Sequence, residues 1–388
     1  MRTAKRLNNL PTYVFAAIGN RVRELKAAGI DVIRCDIGSP DMAPPQPVVE
    51  AMCHAVQQAD KHGYSSFYGS PPYRQAVAKY YRRRFSVELD PETQTLALIG
   101  SKEGIYHLPT AFIDPGTVVL TPDPGYATYR NAIPLVGGEM FSMPLREENG
   151  WLPDLAAIPA DVLERARILW LNYPNNPTTA VAPFSFLEQA VAFARQHGIL
   201  LAYDNPYCEV TWDGYVAPSV LQVPGAVDVA IEFNSFSKSY NMAGWRIGMV
   251  VGNQEAIAAL ARLKTNADTG IFQAIQDAAI VALDTKDGWL VERNETYRQR
   301  RQVVTDGLDR MGLSYTKSPA TLYVWANLPA GAKSMDYTAS LRDATGVSVC
   351  PGAALGPGGE GYVRITFCHP VDRLAEAMER WEKWMSGS

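Results

Sequence analysis

The sequence predicts an α/β protein: a parallel or mostly parallel sheet with helices on both faces, followed by a smaller α+β domain. Two observations lead there. Up to about residue 270, short β-rich runs alternate with amphipathic helical stretches, the signature of strand–helix–strand units. The chemically unusual residues gather directly after the strand-like runs, where open parallel sheets bind ligands.

The strand-like runs are TLALIG (95–100), TVVLT (117–121), RILWLNY (167–173), ILLAYD (199–204), DVAIEF (228–233) and WRIGMVVG (245–252). Their β-branched and apolar content suits strands buried on both faces. Helical periodicity falls at 101–112, 126–136, 183–197 and 253–264. After about residue 270 the texture changes. A long helical region at 271–311 precedes TLYVWANL (321–328), a helix at 334–345, strands at 347–350 and 362–367, and a terminal helix at 370–385. Residues 1–40 have no sheet of their own, so the N-terminal arm is expected to join the smaller unit. The expected division is a large domain over 42–275 and a small domain built from 1–41 with 276–388.

Composition narrows the function. Of 388 residues, 47% are apolar and 20% charged, with a net charge of −4. That is ordinary for a soluble protein and argues against a general nucleic-acid or membrane-surface binder. The five cysteines are scattered, with no CxxC and no Cys/His cluster; neither a disulfide framework nor a metal site is expected, and reduced thiols point to the cytoplasm. The first residues, MRTAKRLNNLPTYVF, lack an apolar signal core, and no apolar run is long enough to span a bilayer.

The sharpest feature is SFSKSY (235–240), where Lys238 stands among small hydroxyl residues at the end of a strand-like run. A nucleophilic lysine needs desolvation or a neighbouring positive charge to lower its pKa. Arg246, eight residues on, could return a guanidinium to the same pocket, and Ser235 and Ser237 could donate to a phosphate. One phosphate plus one lysine-derived Schiff base points to pyridoxal 5'-phosphate (PLP). A solvated loop lysine beside a structural arginine reads these residues equally well. Asp204 ends ILLAYD, where a carboxylate could pair with a protonated pyridine nitrogen or simply cap a turn before Asn-Pro. Tyr207 and Asn176 (in NYPNNPTT) could reach a phenolic oxygen; a proline-stiffened turn is the alternative for Asn176. GSKEG (100–104) lies between strand and helix, with Ser101 as a helix N-cap, Lys102 as added charge, and the helix N-terminus suited to phosphate. Tyr126 could stack on a flat ring or serve packing. Arg364, amid apolar residues in YVRITF, needs a partner, either a substrate carboxylate or a buried acid.

Together these residues run in a fixed order through DIGSPD (36–41), YPNNPT (173–178), YDNPY (203–207), SFSKSYNMAGWRIG (235–248) and VRITF (363–367). That order strongly resembles the class I/II aminotransferases of PLP fold type I over nearly the whole chain. The resemblance implies a mostly parallel seven-stranded sheet in the large domain and Lys238 as the Schiff-base lysine. It implies that Ser101, Lys102, Ser235, Ser237 and Arg246 hold phosphate and that Tyr126 stacks on the ring. Asn176 and Tyr207 would bond the phenolic oxygen, Asp204 the ring nitrogen, and Arg364 the substrate α-carboxylate, with Asn176 and the backbone near Gly38 assisting. Tyr64 matches a tyrosine lent to a neighbouring subunit's phosphate, which implies a homodimer. Thr179 stands where the family often has glycine, and Asn205-Pro206 where bulkier or acidic residues are common. The segments 203–226, 232–248 and 263–279 look like the branch of LL-diaminopimelate and N-succinyl-diaminopimelate aminotransferases. That implies lysine biosynthesis, with glutamate and 2-oxoglutarate as the second pair. Alanine and aspartate aminotransferases resemble the chain nearly as closely; a C–S lyase, a decarboxylase or a PLP-binding sensor would use the same pocket.

Overall fold

Eleven strands form two sheets in the computed structural model, which describes residues 2–10 and 14–387. In chain order they are β1 (Ile33–Cys35), β2 (Thr95–Leu98), β3 (Val118–Asp123), β4 (Glu139–Pro144), β5 (Ala166–Asn172) and β6 (Leu200–Asp204), then β7 (Ala230–Ser235), β8 (Gly248–Gly252), β9 (Tyr323–Asn327), β10 (Val347–Pro351) and β11 (Tyr362–Thr366).

The larger sheet has seven strands in the order β2-β8-β7-β6-β5-β3-β4. Only the pairings of β8 are antiparallel, so the sheet is mostly parallel, as expected. Its central strands β5, β6 and β7 are buried nearly throughout. That is why their sequences read as continuous apolar runs rather than alternating ones. The seventh strand, β4, is an edge strand with exposed and half-buried positions, and the sequence reading does not include it. Without two buried faces it has no continuous apolar run to recognise.

The smaller sheet has the order β1-β10-β11-β9. Ile33–Cys35 of the N-terminal arm pair in parallel with Val347–Val349. Trp325 and Tyr362 stack across β9 and β11, with centroids 5.1 Å apart. A second apolar cluster, including Tyr297, Leu308, Val324, Ile365 and Trp381, lies between this sheet and the helices Asp287–Arg310 and Val371–Ser386.

Several helices depart from the sequence reading. The long region 271–311 is two helices, Gln273–Leu283 and Asp287–Arg310. They break at Asp284, whose carboxylate is held by Lys79 and Arg83. The stretch 126–136 supports only one turn, Thr128–Asn131, and a 3-10 turn at Ile133–Leu135; Pro134 supplies no N–H to continue the ladder. Helices Val14–Ala27, Gln46–Ala55 and Pro71–Phe85 are additional. Ser101 is the first residue of its helix rather than its cap. Gly100 holds the cap position with φ of 72°, a left-handed backbone that favours glycine. Among the described residues, no helix is long and apolar enough to cross a membrane.

One close approach ties the sheet to the helix at Ser101. A Cβ on Gly248, at the start of β8, would lie 2.7 Å from Ser101 N and 2.9 Å from Asn234 O. Both are backbone atoms, so the chain itself would have to move. Gly248→Ala is therefore expected to cost about 1–3 kcal/mol in denaturant unfolding; an unchanged midpoint would show that strand and loop can separate freely.

Candidate active site

The carboxyl ends of β5, β6 and β7 open into a cavity of ≈ 490 Å³, closed on the other side by β9 and β11 residues of the smaller sheet. Asn172, Asp204 and Ser235 end the three strands. Lys238 follows Ser235 by less than one turn, in the four-residue helix Phe236–Ser239. The Ser235 hydroxyl accepts the Ser237 N–H at 3.2 Å, which fixes the start of that turn. Lys238 Nζ donates to the Gly38 carbonyl.

Asp204 is the centre of the site's electrostatics. Its Oδ2 accepts the Tyr129 hydroxyl at 2.6 Å. Its Oδ1 is buried without a partner. Burial pushes its carboxyl pKa up to about 7; the Tyr129 hydrogen bond opposes the shift and the Glu232 charge adds to it. A buried carboxylate with an open oxygen is costly, and a cationic N–H donor would satisfy it. The Asn172 amide donates to the Asp204 carbonyl at 2.7 Å and its oxygen accepts the Asn176 N–H at 2.8 Å.

Arg364 enters from β11 and is 5% exposed. It donates to Asn176 Oδ1 at 2.7 Å and to the Asp36 carbonyl at 3.0 Å, while its Nε is buried without a partner. It lies over the Tyr323 ring, 4.3 Å from the centroid, and the Tyr323 and Tyr207 hydroxyls are 3.1 Å apart. Among the described residues no carboxylate takes up the fork of this arginine, which leaves it suited to a ligand carboxylate.

Opposite, Lys102 and Arg246 bring positive charge to the start of the Ser101 helix. Burial lowers the Lys102 pKa first, and the Arg246 charge lowers it further. A Cβ on Gly100 would lie 2.3 Å from an Arg246 guanidinium nitrogen. Only a bare backbone lets that guanidinium come so near the helix N-terminus, an arrangement suited to an anion. Tyr126 also lines the cavity, edge-on to Tyr129 at 5.5 Å.

Thus Gly38, Ser101, Lys102, Tyr126, Asn176, Asp204, Tyr207, Ser235, Ser237, Lys238, Arg246 and Arg364 share one cavity. Tyr64 does not line it and is 94% exposed. Thr179 keeps a φ of 64°, so the turn retains the glycine-like conformation despite its side chain. The sequence reading misses Tyr129, Tyr323 and Phe15. No local signal marks Tyr129, whose partner Asp204 lies 75 residues on. It also misses Glu232, fully buried on β7. Tyr81, Asn205, Ser219 and the Val220 N–H all donate to its carboxylate, which explains both an acid inside an apolar run and an asparagine after Asp204.

Residues 30–380 match the family described as aminotransferase class I and II. This chain belongs to that family. The aminotransferase is 49% identical over 377 residues to LL-diaminopimelate aminotransferase of Desulforudis audaxviator, covering 97% of this chain and 96% of that protein. It is 46% identical over 375 residues to LL-diaminopimelate aminotransferase of Aquifex aeolicus, covering 97% of each. Among solved structures, a probable N-succinyldiaminopimelate aminotransferase from Thermus thermophilus superposes with a TM-score of 0.89 at 37% identity. It covers 95% of this chain and 99% of that one. The aminotransferase is PLP-dependent. Its residues fit that cofactor: the open Asp204 oxygen suits a protonated ring nitrogen, and the Ser101–Arg246 end suits a phosphate.

Asp204 and Glu232 both have pKa values raised to about 7 by burial. A raised carboxyl binds its proton more tightly in the folded protein than in the unfolded chain. Its contribution to stability is full below the unfolded value and is lost as pH rises through about 7. Without cofactor, Asp204→Asn should therefore flatten the fall in melting temperature between about pH 4 and about pH 7. Glu232 should preserve part of the slope. An identical fall in both proteins would contradict the burial of Asp204 as a free acid.

Proposed function

We propose that the enzyme transfers the amino group of LL-diaminopimelate, or of its N-succinyl derivative, to 2-oxoglutarate in lysine biosynthesis. The names of its relatives support that donor. The observation that carries the chemistry is one cavity holding a lysine, a buried carboxylate with an open oxygen and a buried arginine whose fork meets no acid among the described residues.

Bound PLP supplies an aldehyde to take the amino group and a ring that holds the electrons of a broken Cα–H bond. In this reading Ser101, Lys102, Ser235, Ser237 and Arg246 bind its phosphate, and Tyr126 stacks on its ring. Asn176 and Tyr207 donate to its phenolic oxygen. Asp204, oriented by Tyr129, keeps its ring nitrogen protonated. Arg364 grips the substrate α-carboxylate beside the backbone of Gly38, with Asn176 and Tyr323 fixing its plane. Lys238 Nζ would bind the cofactor's aldehyde carbon and, as a free amine, would carry the substrate α-proton as base and then acid.

We further propose a homodimer in which Tyr64 serves the neighbouring copy's phosphate; its exposure, outside the cavity of its own chain, supports this. We also propose a large domain over 42–275 and a small domain built from 1–41 with 276–388; the pairing of β1 with β10 supports this division. The five free cysteines support a cytoplasmic site.

The test is an absorbance titration of the PLP-loaded enzyme with single amino donors and no acceptor. LL-diaminopimelate or its N-succinyl form should bleach the visible band faster than alanine or aspartate. Lys238→Ala should retain PLP noncovalently and lose turnover. Bleaching by alanine or aspartate alone would replace the substrate assignment, and substantial turnover by Lys238→Ala would remove the lysine from its role.

A further inference from the structure

Arg293 lies on the helix Asp287–Arg310, outside the cavity, and is 4% exposed. Among the described residues it has no carboxylate at ion-pair distance. The nearby acid, Glu209, is engaged by Arg84 at 3.1 Å and by the Tyr80 hydroxyl at 2.5 Å. A buried guanidinium without an acid is expensive unless its donors are satisfied. Arg293 spends them on main-chain carbonyls. Its Nη1 donates to Lys238 O at 3.1 Å and to Ser239 O, and its Nη2 donates to Glu209 O. Asn294 holds the fork in plane. Its Oδ1 accepts Arg293 Nη2 at 2.8 Å and Nε at 3.1 Å, and its amide donates to Glu209 O at 2.9 Å.

The receiving carbonyls belong to elements that cannot hold themselves. The helix Phe236–Ser239 has four residues, too few to satisfy its own last carbonyls. A cation at its C-terminus also complements the helix dipole. Glu209 lies two residues after Tyr207, on the segment that follows Asp204. One guanidinium thus joins the Lys238 segment to the Asp204–Glu209 segment.

The same helix face continues the pattern. Tyr297, four residues on, donates to Asn241 Oδ1 at 3.4 Å. Arg300 makes a bidentate pair with Asp41 at 2.6 and 3.0 Å, three residues from the Gly38 carbonyl that receives Lys238 Nζ. Residues 293, 297 and 300 form one stripe, and each meets a segment that shapes the cavity.

We propose that Arg293 is a positioning residue for Lys238. It fixes the main chain from which the lysine swings, so that Nζ meets the α-proton at the same place in every turnover. This rests on the reading of Lys238 as the lysine that binds PLP.

The test uses the PLP-loaded enzyme and Arg293→Lys, which keeps the charge and loses the planar fork. With LL-diaminopimelate as donor, kcat should fall roughly tenfold or more while KM changes less than about threefold, because misplacing a reacting group costs rate rather than binding. Amide exchange over 236–241 should quicken, with the small sheet unaffected. Asn294→Ala, which only loosens the fork, should shift the same two readouts more weakly; it carries the test if Arg293→Lys does not fold. A lowered melting temperature with unchanged kcat and unchanged exchange at 236–241 would overturn the proposal. Borohydride reduction and peptide mapping separate the two readings. A label that misses Lys238 removes the lysine assignment and this proposal with it, whereas a label on Lys238 with unaltered kcat removes the proposal alone.

Discussion

A carboxylate with half of its hydrogen bonds made organises this enzyme. Asp204 ends a strand buried nearly throughout, one oxygen fixed by Tyr129 and the other buried and open. Such a group is tolerated only where a complementary donor repays its desolvation. The surrounding architecture serves that arrangement. Tyr129 is braced against Trp170 by a stack with centroids 4.8 Å apart. Asn172 clamps the Asp204 carbonyl, and Glu232 gathers Asn205, Ser219 and Tyr81 behind the following turn. The result is a rigid acceptor in a cavity that also holds Lys102, Lys238, Arg246 and Arg364.

The two sheets divide the work. The large sheet supplies Asp204 and the lysine turn; the small sheet supplies Arg364 and Tyr323. Arg364 reaches across to Asn176, so the small-sheet and large-sheet walls of the cavity share a hydrogen bond. The helix Asp287–Arg310 adds the second crossing, from the small sheet's apolar cluster to the main chain of Lys238. A site assembled from distant segments needs such ties, because loops alone do not hold reacting groups to the required tolerance.

Much of this was legible in the sequence, for physical reasons. The central strands read clearly because both faces are buried, and the lysine, aspartate and second arginine sat in short segments whose chemistry is local. What escaped depends on distant contacts. Tyr129 meets Asp204 across 75 residues, and Tyr323 meets Tyr207 across 116; no periodicity encodes either pairing. Glu232 interrupts an apolar strand, and the donors that explain it lie from 12 to 151 residues away. The edge strand β4 escaped for the opposite reason, since exposure removes the apolar run that marks a strand. Serine favours a helix cap, but the cap position here has a left-handed backbone and is held by Gly100, so Ser101 opens the helix instead.

The role of Asp204 is decided by the protonation state of the cofactor's ring nitrogen, read by 15N NMR on enzyme loaded with ring-labelled PLP. A protonated nitrogen is expected in the wild type and an unprotonated one in Asp204→Asn, because the amide can no longer balance a ring cation. A nitrogen that stays protonated in Asp204→Asn, or is unprotonated in the wild type, would contradict the role given to the open oxygen of Asp204.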